Sequence, residues 1–160
     1  MNNLEVNQTI VIVDDEEMVL QSLESFLTLE TEYSVKTFLS AKKALEYIKD
    51  NDVGLVVSDY LMPEIDGISF LAEVKKLKPE IPRIILTGYA DKENAIKAIN
   101  DVGLFQYIEK PWDNEDILII MRNGLEKQRL LNKLQEKIGE INQAYAELQG
   151  LQHEIVRTFV

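Results

Sequence analysis

Val53-Gly54-Leu55-Val56-Val57-Ser58-Asp59 is a short apolar, largely β-branched run closed by a small polar residue and an acid. Its part Val53–Ser58, without polar alternation, reads as a strand covered on both faces with Asp59 at its end, which is how strands of a parallel sheet read. Runs of the same kind lie at Thr9–Val13, Tyr33–Phe38, Arg83–Thr87 and Phe105–Ile108. Between them the apolar period changes to that of helices. Val19, Leu23, Phe26 and Leu27 make one stripe, and Ala41, Ala44, Leu45 and Ile48 a second. Ile68, Leu71 and Val74 make a third, and Ala95, Ile99 and Val102 a fourth. Five strands alternating with helices, joined by connections too long for hairpins, predict an α/β fold with helices on both faces of a parallel sheet. Ser40 and Asp91 are expected N-caps. Gly54 and Gly103 fall between elements, and Pro63, Pro79, Pro82 and Pro111 all fall in loops.

Composition narrows the function. The 160 residues suit one domain plus an extension, and 46% apolar with 28% charged residues is the balance of a globular protein. There is no cysteine, so thiol and disulfide chemistry are excluded. No apolar run is long enough to span a bilayer, and the start Met1-Asn2-Asn3-Leu4-Glu5 lacks the features of a signal peptide. The expected location is the cytoplasm, away from membranes. Residues 126–160 carry 5 basic and 5 acidic side chains, so the whole net charge of −11 lies in residues 1–125. A surface of that sign disfavours nucleic-acid phosphates, and no nucleic-acid contact is expected from this chain.

Functional groups of an open parallel sheet gather at the carboxyl ends of its strands. There the sequence places Asp14-Asp15, Asp59, Thr87-Gly88 and Lys110-Pro111. Three carboxylates crowded together repel one another unless cations neutralise them. Oxygen ligands without nearby His or Cys suit Mg2+.

Val13-Asp14-Asp15-Glu16, Ser58-Asp59-Tyr60-Leu61-Met62-Pro63-Glu64-Ile65-Asp66-Gly67, Leu86-Thr87-Gly88-Tyr89 and Glu109-Lys110-Pro111-Trp112 together resemble the receiver domain of two-component response regulators. The resemblance covers residues 9 to about 125. It implies the flavodoxin-like, doubly wound five-stranded fold of order 2-1-3-4-5, for which a chemotaxis receiver is a known example. It also implies that Asp59 accepts a phosphoryl group from the phosphohistidine of a sensor histidine kinase. Asp14, Asp15, Asp59 and the backbone carbonyl of Leu61 would hold Mg2+. Lys110 would neutralise developing charge, Thr87 would hydrogen-bond the phosphate, and Tyr107 would be the switch residue that turns inward. Such a domain is not an enzyme beyond its own phosphoryl transfer and a slow self-dephosphorylation. Lys110-Pro111 is expected to be cis, as is usual in the family.

Two other readings compete. A phosphatase of the haloacid dehalogenase type resembles an Asp-x-Asp pattern after its first strand, whereas here the acids are adjacent and the best nucleophile follows the third. A receiver that is only a scaffold would normally lack one of the metal-site acids or the lysine.

From Trp112 the pattern is helical, with no proline to Val160. Leu131, Leu134, Ile138, Ile141, Tyr145, Leu148, Ile155 and Phe159 alternate by 3 and 4 residues, with Gln152 at the missing seam position. This predicts an extended C-terminal helix whose residues 126–160 form a coiled-coil linker, hence a homodimer. A single amphipathic helix folded back on residues 1–125 is the alternative. His153-Glu154 with Arg157-Thr158 only faintly resembles a histidine-kinase phosphoacceptor box, and His153 reads as an exposed helix residue. The abrupt end suggests a fragment whose output module is absent. Lys110-Pro111-Trp112 followed by a coil resembles regulators whose outputs are cyclic-di-nucleotide phosphodiesterases or histidine kinases.

Overall fold

The computed structural model describes residues 9–159, with side chains to residue 152. The opening segment and the side chains of His153, Ile155 and Phe159 lie outside that description. The elements alternate as β1 (Thr9–Val13), α1 (Glu17–Glu30), β2 (Ser34–Phe38), α2 (Ala41–Asp50), β3 (Leu55–Asp59), α3 (Gly67–Leu77), β4 (Arg83–Thr87), a 3-10 turn (Tyr89–Asp91), α4 (Lys92–Asp101), β5 (Gln106–Glu109) and α5 (Asn114–Phe159). The five strands pair in parallel in the order 2-1-3-4-5.

The two periods explain the layers. Along β1, Val11 and Val13 join one core with Ala44 and Ile48 of α2, Phe70, Leu71 and Val74 of α3, and Ala95 and Ala98 of α4. Ile10 and Ile12 point the other way, into a core with Leu20, Leu23 and Leu27 of α1 and Ile117, Met121 and Leu125 of α5. Successive residues of a strand face opposite sides, so one uniformly apolar strand feeds two cores.

The expectation of strands buried on both faces holds for β3 and β4 and nearly so for β1, but fails at the edges. In β2 no residue is fully buried, and in β5 only Ile108 is. Each edge strand has a neighbour on one side only, and these are the positions that the order 2-1-3-4-5 assigns to β2 and β5. The limits of β1 and β4 are those expected, the limits of β2, β3 and β5 shift by a residue or two, and Asp59 becomes the last residue of β3 itself.

The helix starts bear out one expected cap, correct another and add a third. Ser40 caps α2, its hydroxyl accepting from the Lys43 N–H. Asp91 precedes α4 as expected but makes no side-chain cap bond. The 3-10 turn supplies bonds there instead, from the Asp91 N–H to the Gly88 carbonyl and from the Lys92 N–H to the Tyr89 carbonyl. Asp66 caps α3, with its Oδ1 accepting from the Ser69 N–H at 2.8 Å and its Oδ2 from the Ser69 hydroxyl at 3.0 Å.

Among the described residues one cation is buried. Arg83 opens β4 and is 3% exposed. Its guanidinium donates to the carbonyls of Leu71, Val102 and Gly103 at 3.0, 2.8 and 2.8 Å. It therefore satisfies orphan carbonyls where α4 ends, at the negative end of that helix dipole. Gly103 follows with φ 72°, the left-handed value that favours glycine just beyond a helix.

The chain divides into two compact units, the first ending at Gln128 and the second beginning at Arg129. Gln128 is 5% exposed, and its side-chain amide donates to the Val53 carbonyl at 3.3 Å. In the second unit the helix is exposed throughout residues 131–152.

Candidate functional site

The loop after β1 and the ends of β3, β4 and β5 bring the acidic and basic groups together. Carboxylate oxygens of Asp14, Asp15 and Asp59 lie within 4.8 Å of one another. Asp14 is fully buried, Asp59 is 8% exposed, and Asp15 faces solvent. Lys110 reaches across from the end of β5, its Nζ standing 2.9 Å from Asp59 Oδ1 and 3.4 Å from Asp14 Oδ2. The Lys110-Pro111 bond is cis.

Two neighbours shape the backbone of Asp59. The Ser58 hydroxyl donates to the Asp59 carbonyl at 3.0 Å. Gly67, the first residue of α3, lies so close that a Cβ there would sit 2.0 Å from the same carbonyl oxygen. Only a residue without a side chain permits that approach. The Gly67 N–H also donates to the Tyr60 carbonyl at 2.8 Å, which closes the loop between β3 and α3.

The electrostatics are those of a site with too much negative charge. Burial pushes the Asp14 carboxyl up to about 6. The Asp59 charge adds to that rise, while the Glu16 N–H, 2.8 Å from Asp14 Oδ1, and Lys110 oppose it. At Lys110 burial disfavours the ammonium, but its hydrogen bond to Asp59 and the charges of both acids outweigh burial and raise its pKa. Three carboxylates against one ammonium leave an excess that a divalent cation would offset. Their oxygen-only donor set fits Mg2+.

Thr87 is fully buried at the end of β4, and its hydroxyl donates to the Gly88 carbonyl at 3.1 Å. Tyr107 is half-buried and packs against the core shared with α4. Leu61 and Tyr89, two residues beyond Asp59 and Thr87 respectively, are 62% and 85% exposed. Asp14, Asp15, Asp59 and Lys110 thus meet at this rim, Thr87 ends the neighbouring strand β4, Leu61 follows β3 by two residues, and Tyr107 lies within β5. Ser58 and Gly67 have roles that the sequence pattern does not assign. For Gly67 a signal exists within the quoted motif, in its place straight after the capping Asp66.

Residues 10–122 match the family described as response regulator receiver domain. The hydrogenase transcriptional regulatory protein HoxA of Cupriavidus necator is 37% identical over 122 residues, which are 76% of this chain and 25% of that protein. The chain therefore spans about a quarter of that regulator's length. The transcriptional regulatory protein FixJ of Rhizobium meliloti is 34% identical over 143 residues, 89% of this chain and 68% of that protein. Among solved structures, a response regulator receiver domain protein from Clostridium thermocellum has a TM-score of 0.73 at 34% identity, covering 77% of this chain and 98% of that one.

Proposed function

Because the chain belongs to the response regulator receiver domain family, we propose that Asp59 is its phosphoacceptor, taking a phosphoryl group from the phosphohistidine of a sensor kinase. Membership implies a cognate histidine kinase, and a receiver domain is not a conventional enzyme. The observation that carries the proposal is Lys110 Nζ lying 2.9 Å from Asp59 Oδ1, with Asp14 and Asp15 gathered around the same point. A carboxylate oxygen of Asp59 forms the new O–P bond as the donor's P–N bond breaks, the electron pair staying on the imidazole nitrogen. Lys110 holds positive charge beside the oxygens on which charge spreads in a loose transition state. Thr87 donates to the phosphate once its hydroxyl leaves the Gly88 carbonyl, and Tyr107 turns inward behind it. Asp14, Asp15, Asp59 and the Leu61 carbonyl would hold Mg2+, which when bound offsets the charge of the acids and of the incoming phosphate. Incubation with phosphoramidate and Mg2+, followed by peptide mapping, should find an acyl phosphate on Asp59. No adduct, or an adduct elsewhere, sinks the proposal.

The acyl phosphate should be long-lived. Its hydrolysis needs a positioned water, and Leu61 and Tyr89, at the flanking positions that resemble those tuning this step in the family, are poor groups for orienting one and bulky enough to shield the phosphorus. The Leu61→Asn, Tyr89→Ala double variant should lose its phosphate faster than the parent when decay is followed after removal of the donor. Equal decay would count against this account.

The output reading is a homodimer switched through the C-terminal helix, from about residue 126 onward. Among the described residues, Leu131, Leu134, Ile138, Ile141, Tyr145 and Leu148 are each 39–66% exposed, a stripe that one helix cannot bury alone. Leu130 and Leu151 flank the seam and are 53% and 55% exposed, which widens its apolar face. The seam is nonetheless weak. Gln152 interrupts it, and Gly139 and Gly150 each cost about 1 kcal/mol of helix stability relative to Ala. Lys137 pairs at 3.4 Å with Glu140 of its own helix. A marginal coil suits a switch, since a few kcal/mol shift only nearly balanced states. Sedimentation should give a dimer for the whole chain and a monomer for one ending at Lys127; equal monomeric masses would exclude the coil. No described helix is long and apolar enough to cross a membrane. We place the protein in the cytoplasm, as is typical of receiver domains, where it controls an output module.

A further inference from the structure

We infer that Lys92, the first residue of α4, and Glu109, the last residue of β5, are a positioning pair that holds the segment after Thr87 in its resting place and so limits how readily the acidic site takes up a phosphoryl group. The inference rests on Asp59 being the phosphoacceptor.

Lys92 Nζ stands 3.2 Å from Glu109 Oε2, and each side chain is 37% exposed. The β4–β5 register sets Thr87 opposite Glu109, and the Lys110 N–H donates to the Thr87 carbonyl at 2.8 Å. Glu109 is therefore bracketed by the two groups proposed to contact phosphate. On the other strand only Gly88 and the 3-10 turn separate Thr87 from Lys92. A Cβ at Gly88 would meet nothing within 4 Å, so the backbone there borders open space on that side.

This short segment is thus tied to β5 at both ends, by a backbone hydrogen bond at Thr87 and by the ion pair at Lys92. The pair occurs in the arrangement whose Thr87 hydroxyl is bonded to the Gly88 carbonyl. For that hydroxyl to turn toward a phosphate on Asp59, the turn must shift against β5, and the pair must stretch. Tyr107 belongs to the same cluster, because residues two apart on a strand share a face. The hydrogen bond and charge of Glu109 raise the Lys92 pKa, with smaller contributions from Tyr107 and Tyr89. An ion pair this exposed does little for overall stability. Its leverage lies in being present in one arrangement and weakened in the other.

The test is a titration of the full chain with beryllofluoride and Mg2+, read by the fluorescence of Trp112, the single tryptophan. At low salt Lys92→Ala and Glu109→Ala should each bind about two- to fivefold more tightly than the parent, the range that one partly exposed pair can supply. The double alanine variant should bind no more tightly than either single variant, because both lose the same contact. The Lys92→Glu, Glu109→Lys exchange should return affinity toward the parent value. The gap between parent and variants should close as added KCl screens the pair. Unchanged affinity in both single variants would overturn the inference. So would effects that add in the double variant and are not restored by the exchange, which would mean each charge acts separately on the site. A parent that fails to bind beryllofluoride would instead overturn the phosphoacceptor reading itself.

Discussion

Asp59→Asn will carry no acyl phosphate after incubation with phosphoramidate and Mg2+, under conditions that modify the parent. The substitution keeps the size and shape of the side chain, so the packing at the end of β3 is preserved. It removes the anionic oxygen that attacks phosphorus, since an amide is a poor nucleophile. It also removes the charge that Lys110 faces at 2.9 Å. One of three crowded carboxylates becomes neutral, which relieves repulsion on the buried Asp14, so the variant should melt no lower than the parent. Intact-mass spectrometry read beside a melting curve decides the matter. An adduct that persists on the folded variant means the nucleophile is elsewhere, and the proposed roles of Lys110 and Thr87 fall with it.

Gly67→Ala should be the most damaging of the small substitutions. A methyl group there would sit 2.0 Å from the Asp59 carbonyl oxygen and 2.9 Å from its carbonyl carbon. Both are backbone atoms of a fully buried strand, so neither can swing away as a side chain would. The strain must be taken up by moving α3 off the sheet or by displacing the residue that carries the nucleophile. Overpacking of this kind costs about 3 kcal/mol, which lowers the melting temperature by roughly 10 °C in a domain of this size. Surviving folded protein should accept phosphate more slowly, because Asp59 is displaced from Lys110. Gly139→Ala is the control. A Cβ at Gly139 meets nothing within 4 Å, and in a helix the same change should stabilise by about 1 kcal/mol. Equal melting of the Gly67→Ala variant and the parent would show that the loop between β3 and α3 is looser than this packing implies.

Much of the protein follows from local sequence. Apolar runs such as Leu55–Val57 and the acids placed after them determined the strand number, the parallel sheet and the rim where Asp14, Asp15, Asp59, Thr87 and Lys110 meet. The resemblance carried by those residues supplied the strand order and the expected cis bond. These features were legible because strand period, helix period and the chemistry of strand ends are short-range properties of the chain.

What only the tertiary structure decided depends on which segments become neighbours. The strand order implied by the resemblance puts β2 and β5 at the edges, but how much of each strand stays exposed is decided by the packing around it. Asp91 reads as a cap from its position, but its side chain makes no cap bond, and the 3-10 turn before α4 engages the N–H groups of Asp91 and Lys92. Nothing local names a partner for Arg83, whose guanidinium finds carbonyls 12 to 20 residues away. The approach of Gly67 to the Asp59 carbonyl and the pairing of Lys92 with Glu109 arise only when α3 and α4 dock on the sheet. Distances of this kind are fixed by the packing of whole elements, whose positions depend on every residue in both cores and not on the few residues that meet.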